Sequence, residues 1–330
     1  PDAGITFWDV AHETNGGLIA DGYTRSTGKM SMVIAQNGPG ITGLVTPIKT
    51  AYWNHTPLLL VTPQAANKTM GQGGFQEVEQ MNLFKDMVCY QEEVRDPSRM
   101  AEVLNRVIEK AIRGSAPAQI NVPRDYWTQV IDIELPPIVR LERQAGGADA
   151  IAKAADLLSK AKFPVILSGA GVVIGGAIEE TKKLAEKLDS PVCSGYQHND
   201  SFPGSHPLAV GPLGYNGSKA AMELISKADV VLALGTRLNP FSTLPGYGID
   251  YWPKNANIIQ VDINPDRIGL TKKVTVGISG DAKLVAQQIF EKLSSNAGDK
   301  DRQERKDLIH QTKSAWLQKL SSLDHEEDDE

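Results

Sequence analysis

Residues 5–25, with the sequence ITFWDVAHETNGGLIADGYTR, contain the change from strand to helix on which the predicted fold depends. The apolar run Ile5–Val10 predicts a β-strand, and the spacing of apolar residues in Thr14–Thr27 predicts a helix. Glu13 lies at the junction between them. A carboxylate at the carboxyl end of a strand faces the crevice in which open α/β sheets bind ligands. The alternative is a carboxylate that only stabilises the positive end of the helix dipole.

Short strands and helices continue to alternate up to residue 135. The further strands are predicted at Met32–Ile34, Leu58–Val61 and Gln119–Val122. The further helices are predicted at Gly43–Asn54, Phe75–Leu83 and Pro97–Arg113. Such alternation favours a parallel sheet that is covered by helices on both faces. We therefore expect residues 1–135 to form a Rossmann-like α/β domain.

A second α/β pattern follows residues 136–147, whose prolines, glycines and charges are typical of a linker. Its helices are predicted at Ala148–Ala161, Ala177–Leu188, Ala220–Ser226 and Ala282–Leu293. Its strands are predicted at Pro164–Ser168, Val192–Gly195, Asp229–Leu234 and Ile258–Asp262. The pattern indicates a second Rossmann-like, parallel-sheet domain over residues 148–296. Residues 297–330 are polar with few apolar side chains, and we expect them to connect to a further domain.

The composition of the 330-residue chain excludes several classes of protein. With 34 Lys and Arg residues against 40 Asp and Glu, the net charge of −6 does not fit a nucleic-acid-binding protein. No apolar run reaches the roughly 18 residues of a membrane helix. Two cysteines, Cys89 and Cys193, are too few for a disulfide framework or a zinc site. We expect both to be buried, and the protein to lie in a reducing compartment, the cytoplasm.

The ends of the chain are unusual for a complete protein. The chain begins at Pro1, just before the first strand-like run, and ends in the acidic run Asp324–Glu330. We therefore expect it to be a piece of a longer polypeptide.

Two more motifs follow predicted strands. Residues 36–43, QNGPGITG, contain glycines that permit a tight turn and close approach of a ligand to the backbone, and Pro39 stiffens that turn. Residues 73–77, GGFQE, lead from a loop into a predicted helix. An ordinary connection between strand and helix is the alternative interpretation of each.

The order and spacing of these three motifs resemble the pyrimidine-binding domain of thiamin-diphosphate-dependent enzymes of the acetohydroxyacid synthase type. Leu213–Gly217 and Val261–Gly269 are similar to the central domain of the same enzymes, so the resemblance covers essentially all 330 residues. It implies that Glu13 is the catalytic glutamate. Such a carboxylate hydrogen-bonds N1′ of the aminopyrimidine and favours the imino form, which takes the proton from C2 of the thiazolium ring.

The resemblance also implies which other residues contact the cofactor. Pro39 corresponds to a proline near the pyrimidine, and Gln76 corresponds to a glutamine at the mouth of the active site. Gly38 and Gly40, on either side of Pro39, belong to the same cofactor-binding turn. Where relatives have Gly-Pro-Gly-x-Thr-Asn, this chain has Gly43 in place of the asparagine, so we expect a slightly different pyrimidine pocket.

Other parts of the family's machinery are expected outside this chain. The Gly-Asp-Gly motif that holds the diphosphate and Mg²⁺ is missing, since Gly280-Asp281 is followed by Ala282, so no metal site is expected here. Residues 1–330 alone should therefore be inactive. The family implies a homodimer or homotetramer, because the cofactor lies between two subunits. FAD is not expected, because Gly169-Ala170-Gly171 lacks a third glycine and a ribose-binding carboxylate.

The resemblance is most specific to family members that convert sulfoacetaldehyde and phosphate to acetyl phosphate and sulfite, in taurine and sulfonate degradation. It implies these two small-molecule substrates but does not identify the residues that bind them. From the sequence, the candidates are His55, in a turn before a strand, and the cation Lys68. Two alternatives remain open. The first is an enzyme of the acetolactate synthase type that acts on pyruvate, and the second is a non-catalytic binding module with the same fold.

Overall fold

The structure, a computed structural model, describes residues 4–137 and 142–323. The chain divides into two compact units, residues 1–140 and residues 141–330. Part of the predicted linker 136–147 and the acidic run 324–330 of the predicted connector lie outside the described residues. Each unit is built on a parallel sheet, which confirms the predicted fold class.

The first unit contains one sheet with strand order β1-β2-β4-β3, in which every neighbouring pair is parallel. Its strands are β1 (Ser31–Ile34), β2 (Leu58–Gln64), β3 (Tyr90–Glu93) and β4 (Ala118–Pro123). Its helices are α1 (Glu13–Thr27), α2 (Pro39–Thr42), α3 (Val45–Trp53), α4 (Gln80–Phe84) and α5 (Met100–Gly114). All strands therefore end at the same edge of the sheet, where ligands bind in open α/β folds.

The central strands of the first sheet, β2 and β4, are buried on both faces. One face of β2 and β4 packs against α5, through Leu59, Val61, Ile120, Val122, Val103 and Val107. The other face packs against α2, α3 and α4, through Leu58, Leu60, Ile41, Leu44, Ile48 and Phe84. Because neither face meets water, β2 is nearly continuously apolar, which is why the sequence predicts it well.

Three expectations for the first unit are wrong. Residues 5–10 are not a strand but an exposed segment without regular structure, in which Trp8 is 81% exposed, because no described strand pairs with them. The helix predicted from Phe75 begins only at Gln80, because Gln76 has a left-handed backbone. Cys89 is exposed rather than buried. The structure also adds β3, whose sequence YQEE has no apolar pattern.

The second unit contains a six-stranded parallel sheet with the order β10-β9-β8-β5-β6-β7. Its strands are β5 (Pro164–Ser168), β6 (Val192–Ser194), β7 (Ala209–Pro212), β8 (Val230–Leu234), β9 (Asn257–Asp262) and β10 (Val276–Ser279). Its helices are α6 (Ala148–Lys160), α7 (Ala170–Ile174), α8 (Ile178–Leu188), α9 (Lys219–Ile225), α10 (Ala282–Lys292) and α11 (Arg302–Leu323). All eight elements predicted for this unit are present within a residue or two of their predicted bounds.

The structure adds a long helix within the predicted connector. This 22-residue helix, α11, packs on the same unit through the buried residues Arg305 and Ile309. The guanidinium of Arg305 donates hydrogen bonds to five backbone carbonyl oxygens, among them those of Leu188 and Asp189 at the end of α8. A buried cation therefore holds this helix on the unit, together with the apolar side chain of Ile309.

Over residues 4–137 and 142–323, no helix combines the length and the apolar character needed to cross a membrane.

Candidate functional site

The carboxyl edge of the first sheet brings three predicted motifs together. Helix α1 runs back toward β1, so its first residue, Glu13, lies at the edge where β1 and β2 end. The turn at Gly38-Pro39-Gly40 follows β1, and Gln76 lies in the connection that follows β2. Motifs that are far apart in sequence thus meet at one place.

Glu13 is held at the start of α1 by its two neighbours. The ring nitrogen Nδ1 of His12 accepts a hydrogen bond of 3.2 Å from the backbone N–H of Thr14, which caps the helix. The hydroxyl of Thr14 donates a hydrogen bond of 2.6 Å to the carbonyl oxygen of Gly43. The Glu13 side chain itself is half-buried. The backbone that carries Glu13 is therefore fixed, and its side chain is still partly open.

Two glycines leave space beside the Glu13 carboxylate. A Cβ on Gly40 would stand 3.3 Å from Oε1 of Glu13, and a Cβ on Gly43 would stand 3.6 Å from Oε2. The expected asparagine at position 43 would therefore lie directly against this carboxylate. Gly43 instead leaves both carboxylate oxygens without a neighbouring side chain from this turn.

The Gly38-Pro39-Gly40 turn requires its first glycine. Gly38 has φ 76° and ψ −115°, a conformation that only glycine adopts easily, and Pro39 then begins α2. A Cβ on Gly38 would also stand 2.7 Å from the backbone oxygen of Gln76. The turn and the Gln76 segment therefore touch through their backbones.

Gln76 is oriented by two polar residues at the end of β1. Its side-chain Oε1 accepts a hydrogen bond of 3.1 Å from Nε2 of Gln36, and its backbone oxygen accepts one of 3.1 Å from Nδ2 of Asn37. Its backbone is left-handed, with φ 64°. Phe75, next to it, is 90% exposed.

This arrangement fits the aminopyrimidine of thiamin diphosphate. A half-buried carboxylate next to space left by two glycines can accept a hydrogen bond from a protonated ring nitrogen and hold its proton. The described residues contain no group of three or more His, Cys, Asp and Glu side chains that could hold a metal ion.

The two substrate candidates lie at opposite edges of the first sheet. His55 lies in the turn before β2, at the amino edge of the sheet, opposite the edge that carries Glu13. Lys68 follows β2 at the carboxyl edge, where its side chain is exposed. Of these two residues, only Lys68 is on the side of the sheet that carries the site.

In the second sheet the strand order reverses at β5: β6 and β7 lie on one side of it, and β8, β9 and β10 lie on the other. In folds of this kind a dinucleotide binds where the order reverses, here between β5 and β8. The loops that follow these strands touch through their backbones, since a Cβ on Gly169 would stand 2.6 Å from the oxygen of Gly235. Gly171 donates its backbone N–H to the same oxygen at 2.8 Å. Nearby, burial raises the pKa of Asp262, although the amide of Asn264 partly opposes this. The loops after β5 and β8 therefore approach each other closely at this point of the sheet.

Sequence reasoning missed three residues that organise the first site: Thr14, Gln36 and Asn37. The sequence contained a signal for Gln36 and Asn37, because a polar pair directly after a strand is placed at the carboxyl edge of the sheet, where ligands bind. The sequence contained no signal for Thr14, because its hydroxyl donates a hydrogen bond to a carbonyl oxygen 29 residues further along the chain.

Comparison with known protein families gives two matches that together cover most of the chain. A family model described as "Thiamine pyrophosphate enzyme, N-terminal TPP binding domain" matches residues 1–83. A second, described as "Thiamine pyrophosphate enzyme, central domain", matches residues 151–289.

Curated relatives match the chain over its whole length. A protein of Rhizobium meliloti (strain 1021) named "Probable sulfoacetaldehyde acetyltransferase" is 78% identical over 100% of this chain and 56% of its own. A "Sulfoacetaldehyde acetyltransferase" of Roseovarius nubinhibens is also 78% identical, over 99% of this chain and 54% of its own. A "Probable acetolactate synthase large subunit" of Methanococcus aeolicus is more distant, at 35% identity over 94% of this chain and 52% of its own. The chain thus spans about half the length of the curated relatives it matches.

A solved structure supports the fold. The crystal structure of benzoylformate decarboxylase from Polynucleobacter necessarius matches with a TM-score of 0.77 and 23% identity. The match covers 88% of this chain and 54% of that one.

Proposed function

This chain belongs to the thiamine pyrophosphate enzymes, and we propose that it is the N-terminal and central part of a sulfoacetaldehyde acetyltransferase. The observation that carries the proposal is the 78% identity, over the whole chain, to relatives with that name. The half-buried Glu13 carboxylate between Gly40 and Gly43 supports it, because a non-catalytic module would have no need of this arrangement.

The proposed reaction converts sulfoacetaldehyde and phosphate to acetyl phosphate and sulfite. Sulfite leaves from the carbon next to the aldehyde, and phosphate accepts the resulting acetyl group. Thiamin diphosphate, when bound, supplies the carbon nucleophile that attacks the aldehyde.

The role of Glu13 in this reaction is to hold and return a proton at N1′ of the aminopyrimidine. The cap by His12 and the bond from Thr14 to Gly43 hold the backbone from which the Glu13 carboxylate extends. A charge-assisted hydrogen bond of this kind contributes about 1.5–3 kcal/mol. Because Gly40 and Gly43 add no side chain beside the carboxylate, the ring can approach both oxygens.

The remaining site residues shape the pocket in this proposal. Gly38, Pro39 and Gly40 form the wall on which the pyrimidine packs, and Gln76 lies at its mouth. Lys68 is the better candidate for the sulfonate or phosphate, because it is a cation on the same edge of the sheet. His55 lies on the opposite edge, which weighs against a direct role in this subunit's site.

Two further parts of the proposal rest on the family rather than on this chain, and a third, the location, rests on the low number of cysteines. Mg²⁺ would bind the diphosphate together with residues of a further domain. The cofactor would lie between two subunits, so the protein would be at least a homodimer, or a homotetramer. We also keep the cytoplasm as the proposed location.

The test is to assay the complete protein with thiamin diphosphate and Mg²⁺. We expect sulfite release that depends on both sulfoacetaldehyde and phosphate. Consumption of pyruvate without sulfite release would favour an enzyme of the acetolactate synthase type. Failure to bind thiamin diphosphate at all would favour the non-catalytic module.

A further inference from the structure

The connection between β2 and α4 carries Gln76 and is closed on itself by the side chain of Glu77. Oε1 of Glu77 accepts a hydrogen bond of 2.6 Å from the backbone N–H of Gly71, and Oε2 accepts one of 3.1 Å from that of Gly74. In return, the backbone N–H of Glu77 donates to the carbonyl oxygen of Gly74 at 3.1 Å. One carboxylate thus ties residues 71–77 into a ring.

This ring encloses backbone conformations that would not persist without support. Gly71 and Gly73 have positive φ values of 82° and 72°, and Gln76, which is not glycine, has φ 64°. A left-handed backbone is unfavourable for a residue with a side chain, and it persists only where surrounding contacts impose it. The segment has few apolar contacts of its own, because Phe75 is 90% exposed and residues 71–74 are exposed. Polar contacts must therefore hold Gln76 in place.

The far end of the segment is already anchored in the interior. The fully buried Gln80 donates its side-chain N–H to the carbonyl oxygen of Pro63 at 2.7 Å, and Gln64 donates to that of Val78 at 3.3 Å. These contacts fix the chain after Gln76. Glu77 holds the chain before it.

We propose that Glu77 is a positioning residue for the cofactor site. Its carboxylate holds the segment 71–77 so that Gln76 stays in its left-handed conformation against the Gly38-Pro39-Gly40 turn. Glu77 acts through Gln76 and does not touch the cofactor. The part of this inference that concerns cofactor binding rests on the proposed function, whereas the part that concerns the segment does not.

The bonding pattern makes a specific demand on the side chain at position 77. Both oxygens accept from backbone N–H groups, so the residue needs two acceptors at the reach of a glutamate. Glutamine has one acceptor and one N–H₂ donor, and alanine has neither. We therefore expect Glu77→Ala to loosen the segment most, and Glu77→Gln to loosen it less.

Glu79 offers a matched control in the same connection. It is an exposed glutamate two residues away, and its side chain makes no capping hydrogen bond to α4. Glu79→Gln removes the same charge without removing the ring. Any effect of charge alone will appear in both variants.

The first experiment measures amide hydrogen exchange of the complete protein without cofactor, in a peptide that covers residues 69–77. We expect faster exchange in Glu77→Ala and Glu77→Gln than in the wild type, with Glu79→Gln unchanged. This readout does not depend on catalysis, so it tests the segment even if the proposed function is wrong. Exchange in Glu77→Ala equal to that of the wild type would overturn the inference.

The second experiment measures cofactor binding and turnover. We expect Glu77→Ala to raise the Kd for thiamin diphosphate about tenfold, with a smaller rise for Glu77→Gln and a melting temperature close to that of the wild type. A lower melting temperature with unchanged Kd and kcat would mean that Glu77 has only a structural role. If the wild type itself binds no thiamin diphosphate, the proposed function fails and the exchange result stands alone.

Discussion

The hydroxyl of Thr14 donates a hydrogen bond of 2.6 Å to the carbonyl oxygen of Gly43, which joins the start of α1 to the end of α2. Glu13 lies on one side of this bond, and the Gly38-Pro39-Gly40 turn lies at the other end of α2. The distance between the proposed catalytic carboxylate and the turn proposed to contact the pyrimidine therefore depends on this bond. The bond is partly buried, so water competes for it less than at the surface.

Replacing Thr14 with valine should remove the link between the start of α1, which carries Glu13, and the Gly38-Pro39-Gly40 turn. Thr14→Val keeps the shape of the side chain but removes the donor, and we expect a loss of about 1 kcal/mol in stability. We also expect weaker binding of thiamin diphosphate, because Glu13 and the turn are no longer linked. Titration calorimetry and thermal unfolding of the complete protein measure both effects. In the control Thr50→Val the lost bond lies within α3, so a similar loss of cofactor binding there would contradict this explanation.

Replacing Gly40 with alanine should place a methyl group beside the Glu13 carboxylate. The new Cβ would stand 3.3 Å from Oε1 of Glu13 and 3.2 Å from Cβ of Gln36, close enough to require a small shift of both. We expect a higher Kd for thiamin diphosphate with little change in melting temperature. On α1, Gly22 has open space around its Cβ position, so Gly22→Ala should bind normally and gain about 0.5–1 kcal/mol in stability. Equal cofactor binding by Gly40→Ala and the wild type would mean that the cofactor does not use this space.

The sequence could predict much of the candidate site because two of its motifs follow strands. In a parallel sheet the Gly38-Pro39-Gly40 turn and Gln76 lie at the same edge, since they follow β1 and β2. Glu13 reaches that edge for another reason, because it begins the helix that leads back into β1. His55 precedes its strand instead, and the same rule places it at the opposite edge. Contacts such as that of Thr14 with Gly43 could not be predicted, because they depend on how helices pack.

The elements that the sequence did not predict share a physical cause. β3, β7 and β10 are all edge strands, each paired on one side only within the described sheets. Edge strands tolerate polar residues, glycine and proline, so they lack the continuous apolar pattern of a central strand. Helix α11 was missed for a related reason, since its main buried anchor is Arg305 and not a row of leucines.

The incomplete glycine motif at Gly169-Ala170-Gly171 predicts a protein without bound flavin. The backbones of Gly169 and Gly171 also contact that of Gly235, at the point of the sheet where a dinucleotide binds in such folds. We expect the purified complete protein to be colourless, and its activity to be unchanged by added FAD. A flavin absorbance at about 450 nm, with one flavin per chain, would contradict this expectation and would favour an enzyme of the acetolactate synthase type.

Arg305 should account for much of the stability of α11 on the second unit. Arg305 is 1% exposed as a residue, and its guanidinium donates hydrogen bonds to five carbonyl oxygens, which a lysine cannot do. We expect Arg305→Lys to cost about 3 kcal/mol or more, because buried acceptors lose their partners. The neighbouring Arg302 forms an ion pair with Asp189 and is 43% exposed, so Arg302→Lys should cost less than about 1 kcal/mol. Thermal unfolding compares the two variants, and equal losses would contradict the role given to Arg305.

The central claim is that Glu13 moves a proton at N1′ of the cofactor, and one substitution tests it most directly. Glu13→Gln is nearly isosteric, so the fold and cofactor binding should persist. The measurement is hydrogen exchange at C2 of bound thiamin diphosphate, with the melting temperature recorded for both proteins. We predict exchange slowed by at least about 10²–10⁴-fold, the range for a general acid–base group, at a nearly unchanged melting temperature. Normal exchange with a stability loss of about 0.3–1 kcal/mol would show that Glu13 only stabilises the helix dipole, and would contradict the account.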